Sequence, residues 1–104
     1  SFSMLRTLDG AYKIQQLNNY SLNPLASFFW STMGNAECLG LQHQIGTIKT
    51  GNYADLIVLN SKSTSLLRHR MEKCKTIEEE LFILQTLGDD RAIDSVFIAG
   101  KKIK

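Results

Sequence analysis

The stretch Asp55-Leu56-Ile57-Val58-Leu59-Asn60 restricts this chain more than any other. Four apolar residues in a row, two of them β-branched, stand between polar neighbours with no alternation. A run this short fits a strand covered on both faces better than a helix. Two weaker β signals accompany it. Ile45-Gly-Thr-Ile-Lys-Thr-Gly51 sets β-branched residues between two glycines, which predicts a short strand and a tight turn. Residues 93–103 predict a strand, a turn at Gly100-Lys101 and a final short strand.

The remaining segments carry helical periodicity. Over residues 3–18, Met4, Leu5, Leu8, Ala11, Tyr12 and Leu17 recur at spacings of three to five, and Ile14 widens the apolar face. Asn18-Asn19-Tyr20 ends that helix. A second helix starts with Asn23 as N-cap and Pro24, the only proline, at the first helical position. Leu25, Phe28, Phe29, Trp30 and Met33 make it apolar on more than one side, which predicts burial between elements. Gly34 and Asn35 are expected to break it, and a short helix from Asn35 to Leu39 to stop at Gly40 in the left-handed conformation. Residues 65–73 predict a weaker, basic helix containing Leu66, Leu67 and Met71. Thr76-Ile-Glu-Glu79 is a capping box opening a helix whose apolar face is Ile77, Leu81, Leu84 and Leu87, flanked by Phe82 and Ile83 and closed by Gly88. The fold class that follows is α+β, mainly helical with a few short β-strands.

Composition rules out several classes. At 104 residues the chain fits one small domain, and a hydrophobic share of 43% with a formal charge of +2 points to neither nucleic acid nor an anionic membrane. Lys101, Lys102 and Lys104 read as a solvated strand edge. No apolar run approaches the ~18 residues that span a bilayer. The opening SFSMLRTLDG lacks the basic start and apolar stretch of a signal peptide. It also begins inside an amphipathic helix, with no initiator methionine or cap-bearing lead-in. Cys38 and Cys74 match neither a Cys-x-x-Cys pair nor a zinc-finger spacing, and read as reduced, mostly buried thiols of a cytoplasmic protein.

Hydrolytic chemistry needs a nucleophile or metal-bound water, a proton shuttle and groups that stabilise developing charge. The only histidines, His43 and His69, form no His-x-His or His-Glu-x-x-His and read as surface residues. Asp89 and Asp90 are adjacent, which suits turn hydrogen bonding or pairing with Arg91 better than a shared acid–base site. Asp9, Glu37 and Asp94 have no evident partner. The glycines of 45–51 lack the GxxxxGK[ST] spacing of a phosphate loop. Phe28, Phe29 and Trp30, at helical spacing, read as core. No catalytic, cofactor-binding or metal-binding residue is assigned.

The order of these elements is nevertheless informative. Asn35-Ala36, Leu39-Gly40-Leu41, Ile45-Gly46-Thr47-Ile48, Gly51 and Ala54-Asp55-Leu56-Ile57-Val58-Leu59 resemble the signature that closes many enzymes of the metal-dependent amidohydrolase superfamily. Three further stretches narrow the resemblance to the guanine deaminase family: SFSMLRTLDGAYKIQQL at 1–17, TIEEELFILQTLGDDRAI at 76–93 and VFIAGKKI at 96–103. Leu87-Gly88-Asp89-Asp90-Arg91-Ala92 is the most discriminating part. The resemblance implies a carboxy-terminal fragment of an enzyme that hydrolyses guanine to xanthine and ammonia with a zinc-activated water.

In that family a helix after the last strand of a (β/α)8 barrel leads into an accessory β-sandwich. Residues 1–41 would then be the last helical layer of the barrel, 42–62 and 91–104 strands of the sandwich, and 63–90 a helical insertion between them. Ser1 to Ser3 would lie near the pocket mouth. The family's zinc ligands map onto no residue here, so the fragment alone is expected to hold no zinc and to be inactive. It is expected to self-associate through uncovered helices and strand edges. Composition and periodicity equally permit a free-standing α+β interaction module using Leu25 to Met33 as a partner groove. Within the superfamily, another deaminase or a chlorohydrolase is the alternative, acting on another aminated purine, a pterin or a triazine.

Overall fold

The computed structural model describes residues 3–104. Its first helix, α1 (Met4–Leu17), starts where Ser3 turns extended and its side-chain oxygen accepts the Arg6 N–H at 3.5 Å. The lead-in therefore does carry a cap, against expectation. Leu5 and Leu8 are buried. Ile14 and Leu17, placed on the apolar face by their spacing, are mostly exposed, because no described element covers the last turn. The helix ends as its polar sequence predicts. Asn19 adopts φ 60°, and the N–H groups of Asn19 and Tyr20 bond to the carbonyls of Gln16 and Gln15, which closes off the last turn.

Asn23 and Pro24 open α2 (Pro24–Phe29) as the sequence requires, with the Asn23 side chain accepting the Leu25 N–H at 2.8 Å. The expected break at Gly34-Asn35 does not occur. The helix widens into a π turn over Trp30–Gly34 and runs on into α3 (Asn35–Cys38). Gly34 is helical, at φ −60° and ψ −44°. A Cβ there would sit 3.2 Å from the Phe29 carbonyl oxygen and 3.3 Å from its ring, so this glycine permits the wide turn to close. Termination comes at Gly40, whose φ of 74° lets its own N–H and that of Leu41 bond back to Glu37 and Ala36.

The strand expected in 45–51 is also absent, and these residues form turns. Gly46, at φ 99°, folds the chain back onto the preceding helix: a Cβ would lie 2.8 Å from the Ala36 Cβ and 3.1 Å from the Met33 Cα. Packing against that helix takes the place of strand pairing. The Asn52 amide then ties the loop by donating to the Thr47 hydroxyl at 3.0 Å.

The sheet has three antiparallel strands, β1 (Leu56–Leu59), β2 (Ile93–Ile98) and β3 (Lys101–Lys102), in that spatial order. Leu56 lies opposite Phe97 and Val58 opposite Ser95, and an irregularity follows at Leu59. Cover on both faces of β1, expected from its unbroken apolar run, is not found. Ile57 is 52% and Val58 43% exposed, since β2 is the one strand beside it and no described layer covers either side chain. The final hairpin turns at Ala99-Gly100, one residue earlier than expected. Both have positive φ, 50° and 80°, the backbone of a two-residue turn whose twist matches the strands. Asp55 holds the unusual Ala99 conformation by accepting its N–H at 2.8 Å.

Between the strands lie α4 (Ser65–Met71), capped by Thr64, and α5 (Ile77–Leu87), capped by Thr76. The Thr76 hydroxyl accepts the Glu79 N–H at 3.2 Å, while the Glu79 carboxylate accepts from Lys75, one residue before the position a capping box predicts. The buried face of α5 differs from the expected stripe. Ile83, Leu84 and Gln85 are buried, whereas Ile77 and Leu87 are exposed. Successive helical residues point about 100° apart, so three consecutive buried positions require neighbours on several sides. Helices α1, α2 and α4 supply them. The resulting core is Leu5, Leu67, Met71, Ile83, Leu84 and Ala92, with Phe28, Leu59 and Cys74 packed against it. Tyr12 meets Phe82 edge-on, with ring centroids 5.2 Å apart. The architecture is α+β.

The predicted all-round burial of the second helix is only partly realised. Phe28 joins the core, but Leu25, Phe29 and Trp30 remain 44–47% exposed. The fully buried residue of α2 is polar instead. Ser27 donates to the Pro24 carbonyl at 2.9 Å and to the side-chain oxygen of Gln85, sharing one proton between them. Ser27→Ala leaves that amide oxygen buried without a donor, and the expected loss is about 1–3 kcal/mol in urea unfolding. Adding Gln85→Leu should recover much of it; no recovery would mean that packing outweighs the hydrogen bond. Gly46→Ala should also destabilise by about 1–3 kcal/mol, from a clash and a positive φ together. An unchanged unfolding midpoint would contradict the close approach of the loop to the Met33–Ala36 turn.

Candidate functional site

Side chains able to do chemistry are scattered over the surface. His43 is exposed in the turn region after α3. His69 projects from α4 with its side chain 78% exposed, and its nearest carboxylate, Glu72, is 4.0 Å away. Glu37 is exposed. Among the described residues no group of three or more His, Cys, Asp and Glu is placed to hold a metal ion. The expectation that Asp9 stands alone is corrected: Lys13, four residues on, pairs with it at 2.9 Å. That spacing was visible in the sequence. Asp94 likewise accepts the Ser95 hydroxyl at 3.0 Å.

The strongest charged arrangement is at Leu87-Gly88-Asp89-Asp90-Arg91-Ala92. Gly88 closes α5, and a short 3-10 turn (Asp90–Ala92) leads directly into β2. Asp89 caps that turn by accepting the Arg91 N–H at 2.9 Å. The Arg91 guanidinium then returns to the same carboxylate, Nη2 to Oδ2 at 2.8 Å and Nε to Oδ1 at 3.1 Å. These contacts hold the Asp89 carboxyl below its ordinary range; the side-chain bonds from Arg91 contribute most, then its backbone N–H. Asp90 is exposed. The pair is thus a clamp at the junction of helix and sheet, as the sequence reading favoured.

Two open clefts flank α5. One, of about 570 Å³, lies between α4 and α5 and is lined by His69, Arg70, Lys73, Cys74, Glu78 and Phe82 among others. Cys74 is half-buried and its thiol donates to the Thr76 carbonyl at 3.4 Å; Cys38 is exposed. Both are free thiols, but neither is mostly buried as expected: Cys38 ends α3 and is exposed, and Cys74 lies half-buried in the connection between α4 and α5. The smaller cleft, of about 250 Å³, is lined by Arg6, Asp9, Thr86, Leu87, Gly88 and Asp89. In the larger cleft the Cys74 thiol is bonded to the Thr76 carbonyl, and among the described residues no hydrogen bond joins it to His69; the smaller cleft is lined by neither histidine nor cysteine, so no activated nucleophile forms in either. Ser1 and Phe2, expected near a pocket mouth, lie outside the described residues. Gln85 and its buried partner Ser27 escaped the sequence reading, because periodicity marks faces and not the depth at which a polar residue sits.

Comparison with known proteins supplies what the local geometry lacks. The amidohydrolase family model matches residues 1–103. Guanine deaminase of Escherichia coli is 37% identical over 103 residues, covering 99% of this chain and 24% of that protein. The solved structure of E. coli guanine deaminase matches the whole chain with a TM-score of 0.97 at 36% identity, over 24% of its own length. Guanine deaminase from Bradyrhizobium japonicum matches with a TM-score of 0.86 at 27% identity, over 28% of its length. The chain therefore spans about a quarter of the relatives it matches.

The Asp89 clamp has a pH signature. Its carboxyl titrates lower in the folded chain than in the unfolded one, where the ordinary value is 3.8. The stabilisation is therefore present above that value and lost as pH falls through the lower, folded one. Asp89→Asn should flatten this acid limb of stability below the ordinary carboxyl value of 3.8, followed by urea unfolding at each pH. An unchanged acid limb in the variant would assign it to other carboxylates.

Proposed function

This chain belongs to the amidohydrolase family, and from that premise we propose that it is the carboxy-terminal part of a guanine deaminase, which hydrolyses guanine to xanthine and ammonia. The observation that carries the proposal is the close superposition of the whole chain on one portion of the E. coli enzyme. A TM-score of 0.97 over the whole chain at 36% identity is more than a shared α+β class would produce.

Within that enzyme, residues 1–41 form the last helical layer of the barrel. Residues 42–62 and 91–104 belong to the accessory sandwich, to which they contribute β1, β2 and β3, and 63–90 are a helical insertion between them. The exposed apolar side chains support this division. Ile14, Leu17, Leu25, Phe29 and Trp30 on the helices, and Ile57 and Val58 on β1, form surfaces of the kind that further polypeptide covers. A zinc ion supplies the activated water of the family reaction. The described residues do not fit a zinc site, for they bring together no ligand set, and no step of the reaction is assigned to them. Their part is mechanical support. The free thiols support a cytoplasmic enzyme, and no helix of the described residues is long and apolar enough to cross a membrane.

Three measurements test the reading. The longer protein that contains this chain, assayed with guanine, cytosine and triazines, should release ammonia from guanine fastest; turnover of another ring with guanine inert would replace the substrate. The 104-residue chain alone should bind no stoichiometric zinc and turn over no guanine. One tightly held metal per chain in elemental analysis would overturn the assignment of support alone. Its uncovered faces should also make it self-associate, so that sedimentation gives a mass rising with concentration. A monodisperse monomer at high concentration would show that these surfaces need no cover.

A further inference from the structure

We draw no further inference here: the strongest candidate, the open cleft between α4 and α5 around Cys74, rests on a lone cysteine whose thiol already bonds to the Thr76 carbonyl, and its mixed lining of Arg70, Lys73, Glu78 and Glu79 selects no ligand.

Discussion

Burial of Ile83, Leu84 and Gln85 among three other helices is the contact on which the rest of the molecule is arranged. Helix α5 has eleven residues, too short to be stable alone in water, so its order comes from what packs on it. Leu5 from α1 and Leu67 and Met71 from α4 close around Ile83 and Leu84. Each such side chain contributes about 1.5–3 kcal/mol by leaving water. The Ser27–Gln85 hydrogen bond fixes how α2 meets the same helix. A polar pair in that position tolerates one rotation of the two helices, whereas apolar contacts alone would accept several.

The sheet joins this helical body at two points. The 3-10 turn held by the Asp89–Arg91 clamp sends the chain from α5 into β2, and Ala92, fully buried, sits at the bend. The Asn60 N–H bonds to the Ala92 carbonyl at 2.7 Å, which ties the end of β1 to the same place. At the other end Asp55 and Ala54 hold the Ala99-Gly100 turn from below. The sheet edge beyond is guarded by Lys101 and Lys102, while β1 presents uncharged Ile57 and Val58. That contrast separates a solvated edge from one suited to a neighbour.

The supporting part proposed for this chain draws on this distribution and not on reactive groups, whereas the guanine deaminase around it is proposed from the superposition on the E. coli structure. A supporting layer must be apolar on the side that meets the enzyme body and must keep its own shape. The side chains of α1, α2 and β1 meet the first requirement, and the α5 core with its capped helix ends meets the second. The histidines and carboxylates that catalysis would use stand apart here, each paired locally or exposed.

Local signals were legible wherever a short stretch settles its own backbone. Asn23-Pro24, the Thr76 cap, Gly40 and the run Leu56–Leu59 each produced the predicted start, stop or strand, because capping bonds and steric limits act over a few residues. The family resemblance was legible for a similar reason, being a matter of ordered motifs. Tertiary structure alone decided the rest. It determined that Gly34 widens a helix instead of breaking it, that 45–51 pack on Met33 and Ala36 instead of pairing as a strand, and that α5 buries Gln85 while Ile77 faces solvent. Periodicity states which residues prefer to leave water. Which of them succeed depends on the neighbours that arrive from distant parts of the chain, and that information no local window contains.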